Sequence, residues 1–378
     1  MTAAPHVAHA RGRTSTDGLR HIVRSLVDEW STAGRFVPRS DSWVRSFDLD
    51  FTRELAARGL IGMTWPTVYG GGEFTNVERL AVTEELLRAG APVAAHWIAD
   101  RQIGPSILRH GSDRLKEELL PGITRGEHLF CLGMSEPEAG SDLAAVRTFA
   151  TRVAGGWSVS GRKMWTSGAH LATHAYVLAR TERSERKHVG LSEFVVDLAD
   201  SGVSVSPIID LSGEHHFNEL LFDEVFVPEH RIIGTEGQGW KQVIEQLSFE
   251  RGGPERVLSS YPVLAEMIRH PDRIRSLHRE SAIGELFARL ATLRRMCWEI
   301  AGRLDDGQAP VLEAAALKLL GNEFERDVIG VARDILGTDD DGPDSVFGQA
   351  LLASPGFSIR GGAADVLLSI IAKQEARA

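Results

Sequence analysis

The stretch Met134-Ser135-Glu136-Pro137-Glu138-Ala139-Gly140-Ser141-Asp142 combines features that surround a bound planar ligand. Ser135 offers a hydroxyl, Pro137 stiffens a turn, and Gly140 lets backbone approach closely. Ser141 and Asp142 are predicted to open a short helix whose N–H groups point at phosphate. Further along comes Gly161-Arg162-Lys163-Met164-Trp165-Thr166-Ser167-Gly168. There Trp165 is a flat apolar wall and Ser167 a second hydroxyl. Taken alone, this second stretch reads equally as a tryptophan packed in a β core beside a glycine-rich turn.

The surroundings change period twice. From about Leu19 to Arg125 apolar residues recur at helical spacing, as in Leu19-Ile22-Val23-Leu26-Val27 and Leu80-Val82-Leu86-Leu87. Gly70-Gly71-Gly72 interrupts this region, and Asn76 or Thr75 is the cap of the helix that follows. Gly111-Ser112-Asp113 precedes another helix, which Pro121 is expected to end. Near His128 the pattern turns to strands: a hairpin around Gly155-Gly156 and Trp157-Ser158-Val159-Ser160, then Tyr176–Ala179, Phe194–Val196, Val203–Val205 and Leu220–Phe222. The charged segment Thr181–His188 is expected to be a solvated loop. From Gly239 the helical period returns, with Trp240, Val243, Ile244 and Leu247 on one face. Long helices follow over about Ser281–Leu304 and Val311–Leu336, then a loop at Asp339-Asp340-Asp341-Gly342-Pro343 and a last helix containing Val366–Ile371.

Composition sets outer bounds. The chain has 378 residues, 43% hydrophobic and 25% charged, enough for two or three domains without disulfides or structural metal. A formal net charge of −10 and a pI near 5.8 argue against a nucleic-acid partner. Cys131 and Cys297 lack metal-ligand spacing and suggest a reducing, cytoplasmic setting. The N-terminus up to about Thr16 is expected to fray and lacks a signal peptide's apolar segment. No apolar run approaches the roughly 20 residues of a membrane helix. Gly237-Gln238-Gly239 and Gly70-Gly71-Gly72 do not follow a βαβ pattern, and no Gly-x-Ser-x-Gly elbow or Walker loop is present. His215-His216 is read as a polar loop pair rather than a metal site.

In this order, the two opening stretches resemble the flavin-binding signatures of the acyl-CoA dehydrogenase family. Softer echoes cover most of the chain: Trp65-Pro66 with Tyr69-Gly70-Gly71, Gly104-Pro105 with Leu119-Leu120-Pro121, and Phe222-Asp223-Glu224-Val225-Phe226-Val227-Pro228. The resemblance implies an α+β multidomain fold: an N-terminal all-α domain at 1–127, a middle β-barrel domain at 128–234 and a C-terminal four-helix-bundle domain at 235–378. It implies FAD as cofactor, with Leu132, Met134, Ser135, Gly140, Ser141, Trp165, Thr166 and Ser167 around it. Ser141, Arg251 and Gly361 are implied to meet an acyl-CoA or related acyl thioester. It also implies an electron-transfer acceptor protein and an oligomer, either a homotetramer or a hetero-oligomer with a homologous subunit. No metal is implied.

Introducing an α,β double bond requires a carboxylate near the α-carbon, partly desolvated, and donors for developing enolate charge. Many members carry a Glu at the position of Gly361, and here the segment reads Arg360-Gly361-Gly362-Ala363. A minority place the base in a Glu-Arg pair after the β domain, which this chain has at Glu250-Arg251. Val243, Leu247, Glu250, Arg251 and Pro254 share a helical face by spacing. The competing reading makes Glu250 the ion-pair partner of Arg251, Arg256 or a neighbour. Gly252-Gly253-Pro254 is expected to kink the helix beside Glu250 and widen an acyl pocket.

Two departures from the family pattern stand out. Arg-x-x-Phe-Gly and Gln-x-x-Gly-Gly stretches, which by resemblance bind flavin across subunits, are not recognisable at Ile268–Arg275 or Asp334–Asp339. The usual Gly-Thr-Ser-Glu-Ile is replaced by Gly362-Ala363-Ala364-Asp365-Val366. Three readings therefore remain: an FAD-dependent acyl thioester dehydrogenase, a flavin monooxygenase or oxidase on the same fold, and a partner subunit with little activity alone.

Overall fold

The structure, a computed structural model, describes residues 15–337 and 342–376, except for the side chains of 248–250. The Asp339–Asp341 loop and the side chain of Glu250 lie outside the described residues. Helices come first: α1 Thr16–Thr32, α2 Ser42–Arg45, α3 Leu49–Ala57, α4 Asn76–Arg88, α5 Ala94–Ile98, α6 Gly104–His110 and α7 Asp113–Thr124. Eight strands follow: β1 Phe130–Gly133, β2 Phe149–Val153, β3 Gly156–Ser167, β4 His174–Arg180, β5 Leu191–Asp197, β6 Val203–Ile209, β7 His215–Pro228 and β8 Ile232–Ile233. Then come α8 Gly239–Arg251, α9 Glu255–Leu258, α10 Tyr261–Arg269, α11 Pro271–Ile274, α12 Leu277–Asp305, α13 Val311–Leu336, α14 Val346–Phe357 and α15 Ala364–Glu375. Helix, β, helix is thus the order of the fold.

The chain packs into two units. The first contains residues 48–73 and 94–246. Its strands form one sheet in the order β6-β7-β3-β2-β4-β5-β8, with β1 added parallel to β4. Trp157, Val159, Val177, Phe194, Val196, Leu220 and Phe222 fill one side of it. On the other side Phe130, Tyr176, Val195 and Ile233 pack with Trp65 and Ile103, Ile107, Leu119 and Ile123 of the helices. That second cluster explains why β4 and β5 read as continuous apolar runs: both faces are covered.

The second unit contains the described residues of 9–47, 74–93 and 247–378. Here α4 packs with α1 and α12 through charge as well as apolar contact. Glu84, fully buried, accepts from Arg20 at 2.6 Å, from Arg294 at 2.9 Å and from the Trp298 indole at 3.2 Å. Glu85 accepts from Arg20 and Arg24. Burial opposes ionisation of both carboxyls, but the guanidinium partners win and hold them below the ordinary carboxylate range. Thr75, not Asn76, caps α4, in a capping box with Glu78.

Several local expectations are corrected. Pro121 does not end α7; it sits inside the helix, which runs on to Thr124. Ile244 is 48% exposed, and the buried face of α8 is instead Gln242, Val243 and Gln246. Asp142 does cap a short helix, but that helix is a single 3-10 turn, Leu143–Ala145. His215 and His216 lie in β7 rather than a loop, and among the described residues no metal-ligand cluster occurs. Gly252-Gly253-Pro254 ends α8 instead of kinking it, and α9 starts at Glu255 with Pro254 as its N-cap. Pro254 therefore shares no helical face with Glu250, and a pocket widened by a kink loses its premise. A Cβ on Gly252 would stand 2.9 Å from Ile300, and one on Gly253 2.1 Å from the Glu255 carboxylate.

Candidate functional site

The first-unit site is built where the two opening stretches meet. Glu136 and Ala139 close a tight turn by exchanging backbone hydrogen bonds of 3.0 and 3.1 Å. The Met164 N–H donates to Ser135 O at 2.9 Å, which joins the first stretch to β3. Beneath this junction Lys163, fully buried, donates from Nζ to Glu136 Oε1 at 2.9 Å, Met134 O at 3.1 Å and Leu178 O at 2.7 Å. Glu136 also accepts from Arg147 N at 2.6 Å, Thr148 N at 2.9 Å and Thr148 Oγ1 at 2.6 Å. Burial works against the Glu136 charge, yet Lys163 and these donors keep its carboxyl below the ordinary value. Burial draws the Lys163 ammonium down to about 8, with Glu136 pulling the other way. Sequence reasoning missed this pair, although both residues stand in the two quoted stretches. The available signal was a lysine at an inward position of a strand, which needs a buried counter-charge.

Around that anchor, Leu132, Met134, Ser135 and Ser167 are half-buried, and Gly140 and Ser141 are exposed. Trp165 is 57% exposed at φ +60°, with its indole edge-on to Phe217 at 5.7 Å. A left-handed conformation in a bulky L-residue costs roughly 1–2 kcal/mol. Thr166 is fully buried, so its side chain takes no part in an open site and only its peptide contributes. Asp142, which follows Ser141, pairs with Lys187 at 2.7 Å. Arg180 ties the loop carrying Lys187 to this region by donating to Val146 O and Lys187 O, each at 2.9 Å. A large aromatic held proud of the sheet, two hydroxyl side chains and apolar residues beside them are the parts that a flavin ring needs: a flat wall and edge hydrogen bonds. The residues present fit that group.

The second-unit site lies at the end of α8. Arg251, 8% exposed, donates from Nε to Gly361 O at 3.0 Å. Burial lowers the Arg251 pKa. Two of the residues singled out from sequence are therefore in contact, and the backbone of Glu250 occupies the turn beside them. Gly361 and Gly362 have φ of +68° and +116°, values that suit glycine. A Cβ on Gly362 would stand 3.4 Å from Arg251 Nη2. Arg360, missed in the sequence, fixes this turn from the other side. It pairs with Asp41, reaches Ser259 Oγ at 3.3 Å and lies over the Trp43 ring at 4.9 Å. Trp43 in turn donates to Ser259 Oγ at 2.9 Å. Partners so distant in sequence leave no local signal.

Comparison with known proteins shows the family. Residues 19–127, 131–225 and 237–376 match the N-terminal, middle and C-terminal domains of acyl-CoA dehydrogenases, respectively. Acyl-CoA dehydrogenase IpdE1 of Mycobacterium tuberculosis is 33% identical over 340 residues, 86% of this chain and 86% of that protein. A solved steroid ACAD, Tcur3481-Tcur3483, superposes with a TM-score of 0.85 at 24% identity, covering 98% of this chain and 99% of that one. The ChsE4-ChsE5 complex from Mycobacterium tuberculosis gives a TM-score of 0.81 at 25% identity, covering 98% and 99%. With all three domains matched in order, this chain belongs to the acyl-CoA dehydrogenase family of FAD-dependent oxidoreductases.

Proposed function

We propose that the chain introduces an α,β double bond into an acyl-CoA, with Glu250 as the base. The observation that carries this reading is the Arg251–Gly361 contact. It draws the turn at the family's usual carboxylate position against the end of α8, where Glu250 stands. A glycine there cannot accept a proton, so the nearest carboxylate in sequence along α8 takes the task. Glu250 removes the α-proton, and the electron pair of that C–H bond becomes the new π bond. FAD, when bound, accepts the β-hydrogen as hydride. Ser141 and the Gly361 backbone orient the thioester, and Arg251, desolvated and cationic, favours the developing negative charge. Leu132, Met134, Ser135, Gly140, Trp165 and the peptide of Thr166 would hold the flavin, and the Ser167 hydroxyl would donate to it. An electron-transfer protein is the acceptor partner that this reading implies.

The test is Glu250→Gln. The variant is expected to keep its flavin and its visible spectrum, and to lose reduction of that flavin by acyl-CoA under anaerobic conditions by a factor of about 10³ or more. Unimpaired bleaching in this variant rejects Glu250 as the base.

A second reading concerns assembly. The flavin-binding stretches that bridge subunits are absent from Ile268–Arg275, and the ChsE4-ChsE5 structure is a complex of two differently named chains. These observations favour a hetero-oligomer with a homologous subunit over a homotetramer. A cytoplasmic location is consistent with two buried free cysteines.

A further inference from the structure

We propose that Asn218, held between His170 and His215, is a positioning residue that orients the Thr166–Ser167 peptide and thereby presents Trp165 and Ser167 to the flavin. The inference rests on the flavin-site reading above. Three observations lead to it.

First, the strand is irregular at this point. Between Lys163 and Thr166 β3 advances three residues, while its partner β7 moves two, from Leu220 to Asn218. The extra residue re-aims the side chains, as β-bulges do. Lys163 and Thr166 are both fully buried, and Trp165 between them is 57% exposed with positive φ. A conformation of this kind persists only where the surroundings over-determine it.

Second, Asn218 supplies that determination. It is fully buried and stands opposite Thr166 in the register. Its Nδ2 donates to Thr166 O at 3.0 Å and to His170 Nδ1 at 3.1 Å. Its Oδ1 accepts from His215 Nε2 at 2.7 Å. Both amide hydrogens and the oxygen are thus engaged, so the amide cannot flip without losing all three bonds. The Thr166 carbonyl shares a peptide plane with the Ser167 N–H. Fixing one therefore fixes the other, on the residue whose hydroxyl faces the cofactor.

Third, the two imidazoles are themselves locked. Their rings stack at 3.8 Å and 20°. The bonds to Asn218 require His170 to carry its proton on Nε2 and His215 to carry one on Nε2. Burial, then the neighbouring His215 ring, lowers the His170 pKa, which keeps Nδ1 free to accept. Gly168 N donates to His216 O at 3.0 Å and closes the far end of the bulge. Packing alone would be served by any small side chain at 218; the directed donor to Thr166 O is what only the amide provides.

The experiment compares wild type, Asn218→Asp and His215→Phe, each in the oligomer in which the chain purifies. Asn218→Asp keeps the shape but turns a donor toward Thr166 O into an acceptor. His215→Phe keeps a ring for the stack and removes only the donor to Oδ1, at an exposed residue. Bound-flavin absorption and fluorescence, flavin Kd and flavin reduction potential are measured beside far-UV circular dichroism. Flavin Kd is expected to weaken about tenfold or more in Asn218→Asp and about threefold in His215→Phe. Displaced flavin bands and a changed potential are expected in both, with unchanged far-UV spectra. If Asn218→Asp fails to fold, His215→Phe carries the same decision. Folded variants with wild-type flavin bands, Kd and potential overturn the positioning role. A wild-type protein that binds no flavin, alone or with a co-expressed homologue, overturns the flavin-site reading instead.

Discussion

At the residue scale the protein spends buried charge on holding its site. Lys163 and Glu136 lie in separate stretches and meet out of contact with solvent. Removing one partner leaves the other charged and buried without compensation, which costs about 3–5 kcal/mol. Lys163→Met is therefore expected to lower stability by that amount and to release flavin. Lys163→Met with Glu136→Gln is expected to recover much of the loss. Urea unfolding of wild type, Lys163→Met, Glu136→Gln and the double variant checks this; additive losses would mean that the two residues act independently. Glu193 of β5 behaves differently. Burial raises its pKa to about 8, against the pull of Tyr176, Gln242 and Ser106, and Gln242 Nε2 donates to it at 3.0 Å. Because the native value is raised, its stabilising contribution is full below the ordinary carboxylate value of 4.5 and is lost as pH rises through about 8. Glu193→Gln is accordingly expected to flatten the fall of Tm between about pH 4.5 and 8. Parallel Tm profiles for the two proteins would show that Glu193 is already ionised at neutral pH.

At the scale of elements, the sequence was most legible where one period held and least where a residue's partner is remote. The long helices α12 and α13 and the apolar strands β4 and β5 stand close to where periodicity puts them. The two opening stretches, whose hydroxyl, glycine and tryptophan chemistry is local, do meet, through the Met164–Ser135 hydrogen bond. Pro121 misled because losing one hydrogen bond and bending the backbone is tolerable in a helix whose Leu115, Leu119 and Ile123 are fully packed. Gly252-Gly253-Pro254 misled in the other direction. Ile300 and Ala314 leave little room for a side chain at Gly252, and spacing along the chain does not report such neighbours. The β3 bulge was invisible because its cause, the buried amide of Asn218, lies on another strand. One element does carry its instruction locally. Thr75 accepts from Glu78 N while Glu78 accepts from Thr75 N, and α4 so capped presents Glu84 and Glu85 to four arginines. Thr75→Ala is expected to cost about 1 kcal/mol in chemical denaturation. A loss below a few tenths of a kcal/mol would show that tertiary ion pairs alone fix the start of α4.

For the whole molecule the open quantity is how many chains make a working site. The division at 127 and 234 proposed from sequence follows the covalent order, whereas packing groups α1, α2 and α4 with the C-terminal helices. Among the described residues no helix is long and apolar enough to cross a membrane. Helix α15 nevertheless reads Val366-Leu367-Leu368-Ser369-Ile370-Ile371 and buries only Leu367, with Leu368 51% exposed. Leu277 at 87% and Phe287 at 40%, both on α12, are likewise uncovered. Apolar residues of this size on helices argue for coverage by another chain of the same fold. Light scattering is expected to report a multiple of the 41.3 kDa chain mass, or a complex with a co-expressed homologue. Leu368→Arg is expected to shift either species toward the single chain. The flavin content of the same samples separates the two assemblies. About one FAD per chain without a partner means that the chain builds its sites from copies of itself. A flavin-poor chain that turns yellow only with a homologue means that each subunit supplies part of the site. A wild-type monomer at micromolar concentration with full flavin would contradict both, and would place the complete cofactor site within one chain.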